Sequence, residues 1–128
     1  MLGIVLAAHY PLADSMKQVL EHIVGPMPDI VVVNVPESVD TEVLRQELAD
    51  KIISVNEGQG VVVVTDIYGG VPSNLAVSLS GKTVRVISGM NVPMLVKLVR
   101  LREKGLDEAV HEAVQAGATF ILQAEKES

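Results

Sequence analysis

Two side chains in this sequence stand where short apolar runs would deliver them to one edge of a sheet. His9 follows Leu2-Gly3-Ile4-Val5-Leu6-Ala7-Ala8 and precedes Tyr10-Pro11, and Asp66 follows Val61-Val62-Val63-Val64-Thr65. A neutral imidazole nitrogen can attack phosphorus in line and hold the phosphoryl group as a phosphoramidate, provided that its other nitrogen bears the proton. A carboxylate accepting that N–H fixes the tautomer and stabilises the developing positive charge. Asp66 is the candidate orienter; the competing reading is an acid that caps the turn ahead of Gly69-Gly70. No lysine or arginine closely follows these strand ends, so donors to the phosphoryl oxygens must come from the backbone. Gly69 and Gly70 permit close approach, and a helix opening near Pro72 aims unpaired amides and its positive dipole end at the same place. Ser73 or Asn74 could add a side-chain donor, or could simply cap that helix. A site without fixed cationic clamps passes a phosphoryl group on readily, which suits relay.

The remaining polar candidates carry less. His22 and His111 fall inside amphipathic helical patterns and read as ordinary helix residues. Ser88 and Asn91 follow the fourth strand on the same edge as His9 and Asp66. Gly58 and Gly60 precede a strand instead of following one, so they read as a plain turn and not as a dinucleotide fingerprint. The chain has no cysteine, which excludes disulfides, thiolate catalysis and Cys-based metal sites. No metal and no cofactor is expected. A formal charge of −6 argues against nucleic acid or an anionic membrane as a partner. The first residues lack the basic region of a signal peptide, and no apolar run approaches the roughly 20 residues that span a bilayer. The expected location is the cytoplasm.

The elements that must position His9 and Asp66 follow from periodicity. At 128 residues and 48% hydrophobic content, with one Phe, two Tyr and no Trp, the chain is expected to form one domain over 1–128 with an aliphatic core. A helix is expected from Leu12 to Val24 (Leu12, Met16, Val19, Leu20, Ile23), ended by Gly25-Pro26. A second strand covers Ile30–Val35. Its helix, capped by Ser38 or Asp40, shows Val43, Leu44, Leu48, Ile52 and Ile53. After the third strand come a helix from about Pro72 to Ser80 and a strand over Thr83–Ile87. Asn91 then caps a helix burying Leu95, Leu98, Val99 and Leu101. The last helix runs from Leu106 to Ala116, is capped by Gly117, and is followed by a strand at Ala118–Leu122. This alternation implies an α/β fold with an open, mainly parallel sheet and helices on both faces. Ligands in such sheets bind beyond the carboxyl ends of the strands, where strand order reverses.

With these residues in view, the chain resembles the enzyme IIA component of the mannose family of the bacterial phosphoenolpyruvate-dependent sugar phosphotransferase system. The resemblance rests on Ala8-His9, on Asp66-Ile67-Tyr68-Gly69-Gly70-Val71-Pro72-Ser73-Asn74, similar to the pattern D-x-(aromatic)-G-G-x-P-x-N, and on Gly89-Met90-Asn91-Val92-Pro93-Met94-Leu95, similar to G-x-N-x-P-M-L. The segments are in order and cover essentially the whole chain. The resemblance implies that His9 accepts a phosphoryl group from phospho-HPr and passes it to an enzyme IIB partner, with Asp66 orienting the imidazole. It also implies strand order 2-1-3-4 and a homodimer, in which Thr119–Leu122 crosses to the neighbouring subunit as an antiparallel edge strand. Contact with a membrane would be indirect, through the transporter components. The chain is read as a IIA unit without the fused IIB domain that some members carry, so separate proteins are expected to act with it.

Two positions depart from the family pattern: Tyr10-Pro11 replaces a small residue after the histidine, and Val71 replaces a frequent serine before the loop proline. The first bears on how HPr docks. The second removes a hydroxyl near the phosphate and leaves the backbone amide. Two other functional readings stand beside relay in sugar uptake. One is a regulatory phosphohistidine protein that senses flux without transport. The other is a receiver-type signalling domain phosphorylated on Asp66, which would need an acidic magnesium cluster after the first strand and a lysine after the fifth; the chain has Ala-Ala-His and Leu122-Gln123-Ala124 there. A dihydroxyacetone kinase phosphodonor subunit uses a related module.

Overall fold

The computed structural model describes residues 1–127 and shows nine elements: β1 (Gly3–His9), α1 (Leu12–Val24), β2 (Ile30–Val35), α2 (Thr41–Val55), β3 (Val61–Thr65), α3 (Val71–Ser78), β4 (Val84–Ser88), α4 (Val92–Arg100) and α5 (Leu106–Thr119). The four strands form one parallel sheet in the order β2-β1-β3-β4. The central strands are the two apolar runs that precede His9 and Asp66. Every residue of β3 is buried, and β1 is buried up to His9, where it emerges. A strand covered on both faces is apolar on both, which is why neither run alternates; Thr65, the last residue of β3, is the buried polar exception.

Successive side chains of β1 feed two cores. Ile4, Leu6 and Ala8, with Leu2 just before the strand, pack against Leu20 of α1, Leu95 and Leu98 of α4, and Ala109 and Ala113 of α5. Val5 and Ala7, with Val61 and Val63, pack against Leu44, Leu48 and Ile52 of α2 and Ala76 of α3. Full burial of a Leu or Val contributes about 1.5–3 kcal/mol, so these layers fix the sheet that carries the site. The buried face of α2 is narrower than the expected stripe: Val43 and Ile53 are exposed, and Val55 takes the last buried position. Asp40 is the N-cap of α2, its Oδ1 accepting from the amides of Glu42 and Val43.

The C-terminal end departs from expectation. Gly117 lies inside α5, and the helix continues to Thr119, closed by a bond from the Phe120 amide to the Ala116 carbonyl at 3.1 Å. A Cβ at Gly117 would lie 3.1 Å from Cβ of Met94 and 3.3 Å from Oδ1 of Asn91, so the glycine serves a close helix crossing and not a cap. Its carbonyl accepts from Nδ2 of Asn91 at 3.0 Å. The strand expected over Ala118–Leu122 is not formed among the described residues, because helical hydrogen bonding claims its first two positions and residues 121–127 pair with no strand. Phe120, Ile121 and Leu122 stand exposed.

Candidate active site

The register of the sheet brings His9 and Asp66 together. Ala7 of β1 lies opposite Thr65 of β3, so the residues that follow reach the same carboxyl-terminal edge from neighbouring strands. Nδ1 of His9 is 2.8 Å from Oδ2 of Asp66, and the same oxygen accepts from the His9 backbone amide at 3.0 Å. The other carboxylate oxygen accepts from the Ile67 amide at 3.0 Å, which ties the acid to its own turn. One side chain thus makes the contacts that each reading of Asp66 requires, to the imidazole and to its own turn.

The electrostatics follow from this geometry. Burial by itself would raise the Asp66 carboxyl, but hydrogen bonds from the His9 ring and the His9 amide outweigh it and hold the group below its ordinary range. An anionic carboxylate at this distance favours the tautomer with the proton on Nδ1, in which the Nε2 lone pair is free. The imidazole is half exposed while its acid is nearly covered, with side-chain exposures of 51% and 13%. His22 and His111 lie on exposed faces of α1 and α5, away from any strand end.

The loop after Asp66 closes over one side of the ring. A Cβ at Gly70 would lie 3.3 Å from Cε1 of His9 and 2.9 Å from Cγ2 of Ile67, so only glycine lets the backbone approach this closely. The five expected donors are not equivalent. The Gly70 amide is committed to the Ile67 carbonyl at 3.2 Å. Among the described residues the amides of Gly69, Val71 and Ser73 have no protein acceptor, as expected for a loop and the first turn of a helix. Nδ2 of Asn74 donates to the Gly69 carbonyl at 3.2 Å and so braces the loop.

The Ser73 side chain does not face the imidazole. It is buried, 1% exposed, with its hydroxyl 2.9 Å from that of Ser88, which is in turn 2.8 Å from that of Thr65. Sequence reasoning placed Ser73 with the phosphate donors because it lies in the loop; its hydroxyl instead points to β4. Asn91 also has a structural task, capping α4 through a bond from the Met94 amide at 3.0 Å. Thr65 escaped notice because a threonine ending a valine run reads as plain strand. Among the described residues no cluster of three or more His, Cys, Asp or Glu is placed to hold a metal ion, and no helix is long and apolar enough to cross a membrane.

The sequence profile of the family described as PTS system fructose IIA component, the mannose-type enzyme IIA, matches residues 3–115. The chain belongs to this family. Among its relatives, YadI of Escherichia coli strain K12, named as a phosphotransferase enzyme IIA component, is 31% identical over 105 residues, covering 80% of this chain and 72% of that protein. The PTS system mannose-specific EIIAB component of the same organism is 26% identical over 120 residues, which are 91% of this chain and 37% of that longer protein. The crystal structure of phosphotransferase system component EIIA from Streptococcus agalactiae superposes with a TM-score of 0.87 at 26% identity, covering 96% of this chain and 97% of that one. As a mannose-type enzyme IIA, the chain is a phosphocarrier of the sugar phosphotransferase system. It is a phosphotransferase that works through a phosphohistidine, with HPr and enzyme IIB as the partners that the family implies.

Proposed function

We propose that His9 is the histidine that carries the phosphoryl group. Nε2 attacks the phosphorus of phospho-HPr in line; the new N–P bond forms as the donor's P–N bond breaks, and the electron pair of that bond stays on the donor imidazole, whose other ring nitrogen keeps its own proton. The Nδ1 proton stays on the ring and is held by Asp66, which balances the positive charge that develops there. The three phosphoryl oxygens meet the amides of Gly69, Val71 and Ser73 and the positive end of α3. Transfer to an acceptor on enzyme IIB runs the same steps in reverse. The chain from 1 to 128 acts as one IIA unit in the cytoplasm.

The observation that supports this reading most directly is the 2.8 Å contact that binds one imidazole nitrogen to Asp66 while the ring stays half exposed. The test is labelling with radioactive phosphoenolpyruvate in the presence of enzyme I and HPr. Wild-type protein is expected to gain an acid-labile, base-stable label, and His9→Ala none. A His9→Ala variant that labels normally overturns the assignment, and a base-labile label would point to Asp66 as the acceptor instead.

We further propose a homodimer. The outer edge of β4 has no strand partner among the described residues, and Phe120, Ile121 and Leu122 extend beyond α5 with their apolar surface exposed. An unpaired edge and an uncovered apolar segment are complementary needs that a second copy meets.

A further inference from the structure

Three hydroxyls occupy positions beneath the phosphate loop where apolar side chains would pack equally well. Thr65 ends β3, Ser88 ends β4 directly opposite it, and Ser73 lies in the first turn of α3. Oγ of Ser88 sits between the other two, 2.8 Å from Oγ1 of Thr65 and 2.9 Å from Oγ of Ser73. Thr65 is fully buried and Ser73 nearly so. The surroundings are aliphatic: Val63, Val86 and Ala76 belong to the same core face. A buried hydroxyl costs free energy unless it is bonded, and the side-chain partner of both Thr65 and Ser73 is the Ser88 hydroxyl. One hydroxyl offers one proton and two lone pairs, so Ser88 can donate to one neighbour and accept from the other.

What the chain of hydroxyls joins gives it a role. Thr65 immediately precedes Asp66, and its carbonyl also accepts the amides of Gly89 and Met90 at 3.1 and 3.0 Å. Ser73 belongs to the turn whose free amides face the phosphoryl position. The carboxylate that aims His9 and the amides that receive the phosphoryl oxygens come from the two ends of one loop, and that loop projects beyond the sheet. Apolar contacts alone would let the start of α3 slide over the ends of β3 and β4, because dispersion has little directionality. Hydrogen bonds set distance and angle.

We propose that Thr65, Ser73 and Ser88 are positioning residues for phosphoryl transfer, with Ser88 as the hub that holds the amide end of α3 at a fixed place relative to Asp66. This rests on the assignment of His9 as the phosphoryl carrier. The effect belongs to the transfer step and not to docking, because Thr65 and Ser73 are buried and the Ser88 hydroxyl is bonded to them.

The experiment compares wild type, Ser88→Thr, the triple variant Thr65→Val/Ser73→Ala/Ser88→Ala, and His9→Ala. Each is measured for urea unfolding and for kcat and KM with phospho-HPr as donor. Removing all three hydroxyls together leaves no buried group unpaired, so the triple variant is expected to keep its unfolding midpoint near that of wild type. Its KM is expected to stay unchanged while kcat falls about tenfold through misplacement of the amides. Ser88→Thr, which keeps the hub hydroxyl at a partly exposed position, is expected to transfer as wild type does. A triple variant with wild-type kcat, or one that changes KM alone, overturns the proposal. If the triple variant loses its cooperative unfolding transition, Ser88→Ala is measured in its place under the same two criteria. His9→Ala separates the two ideas: if it still transfers, the His9 assignment falls and the positioning role with it, whereas a silent His9→Ala beside a fully active triple variant removes the positioning role alone.

Discussion

Asp66 makes two bonds to one residue, gripping both the ring and the amide of His9, and this double contact decides what its replacement does. In Asp66→Asn the charge that favours a protonated Nδ1 is gone, and transfer from phospho-HPr should slow about 10- to 100-fold, the usual cost of losing such an orienting group. The fold should survive, because the amide bond can be kept by the remaining carbonyl oxygen. Since the folded protein holds the Asp66 carboxyl below its ordinary range, its stabilising contribution is complete above the unfolded value, near pH 4, and is lost as pH falls through the lower folded value. The stability difference between wild type and Asp66→Asn, followed by urea unfolding, should therefore hold steady above about pH 5 and shrink below about pH 4. Gly70→Ala tests the approach of the loop to the ring: with a Cβ 3.3 Å from Cε1 of His9, transfer should fall about 10- to 100-fold with cooperative unfolding retained. At this scale the sequence made His9, Asp66 and the glycine pair legible, since a polar residue ending an apolar run has few structural alternatives. The direction of Ser73 and the commitment of the Gly70 amide were not legible, because both depend on how the start of α3 sits against β4.

The elements carry a second charged group that periodicity did not reveal. Arg102 follows α4 in a segment rich in charge, yet it is 5% exposed. Its guanidinium donates to the carbonyls of Leu2 at 2.8 Å, Pro28 at 2.7 Å and Asp29 at 2.9 Å. These carbonyls lie where the chain enters β1 and β2, so one side chain closes the amino-terminal edge of the sheet. Arg102→Met should lower the unfolding free energy by about 2–5 kcal/mol, while native-state labelling of His9, at the opposite edge, stays at the wild-type rate. Strand and helix boundaries were otherwise readable to within a few residues, because Pro, Gly, Asp40 and Asn91 mark them by local geometry. The exception is α5. Gly117 looked like a terminator because glycine usually ends helices, but here its missing side chain admits Met94 and Asn91 of the neighbouring helix. A contact between elements, invisible in a local pattern, overrides the stop signal.

For the whole molecule, strand order was available only through family resemblance; composition and periodicity gave a parallel sheet without saying which strands are neighbours. The order β2-β1-β3-β4 makes β4 an edge, and Ile121 of the exposed Phe120-Ile121-Leu122 segment lines a hollow with Ser88 and Gly89 at the end of that strand. Ile121→Asp combined with Leu122→Asp should shift the protein from dimer to monomer in sedimentation at micromolar concentration, with His9 still able to be labelled; a double variant of unchanged mass would exclude this segment from the interface. The contact between His9 and Asp66 spans 57 positions of sequence, and it has a consequence in time as well as in space. During synthesis the histidine emerges long before its acid, and β1 can find β3 only after α1, β2 and α2 have all been made. A nascent or truncated chain ending before Thr65 would hold an imidazole free to turn either nitrogen outward, so under the role proposed for His9 competence to carry phosphate arrives late and marks a domain whose centre has already closed.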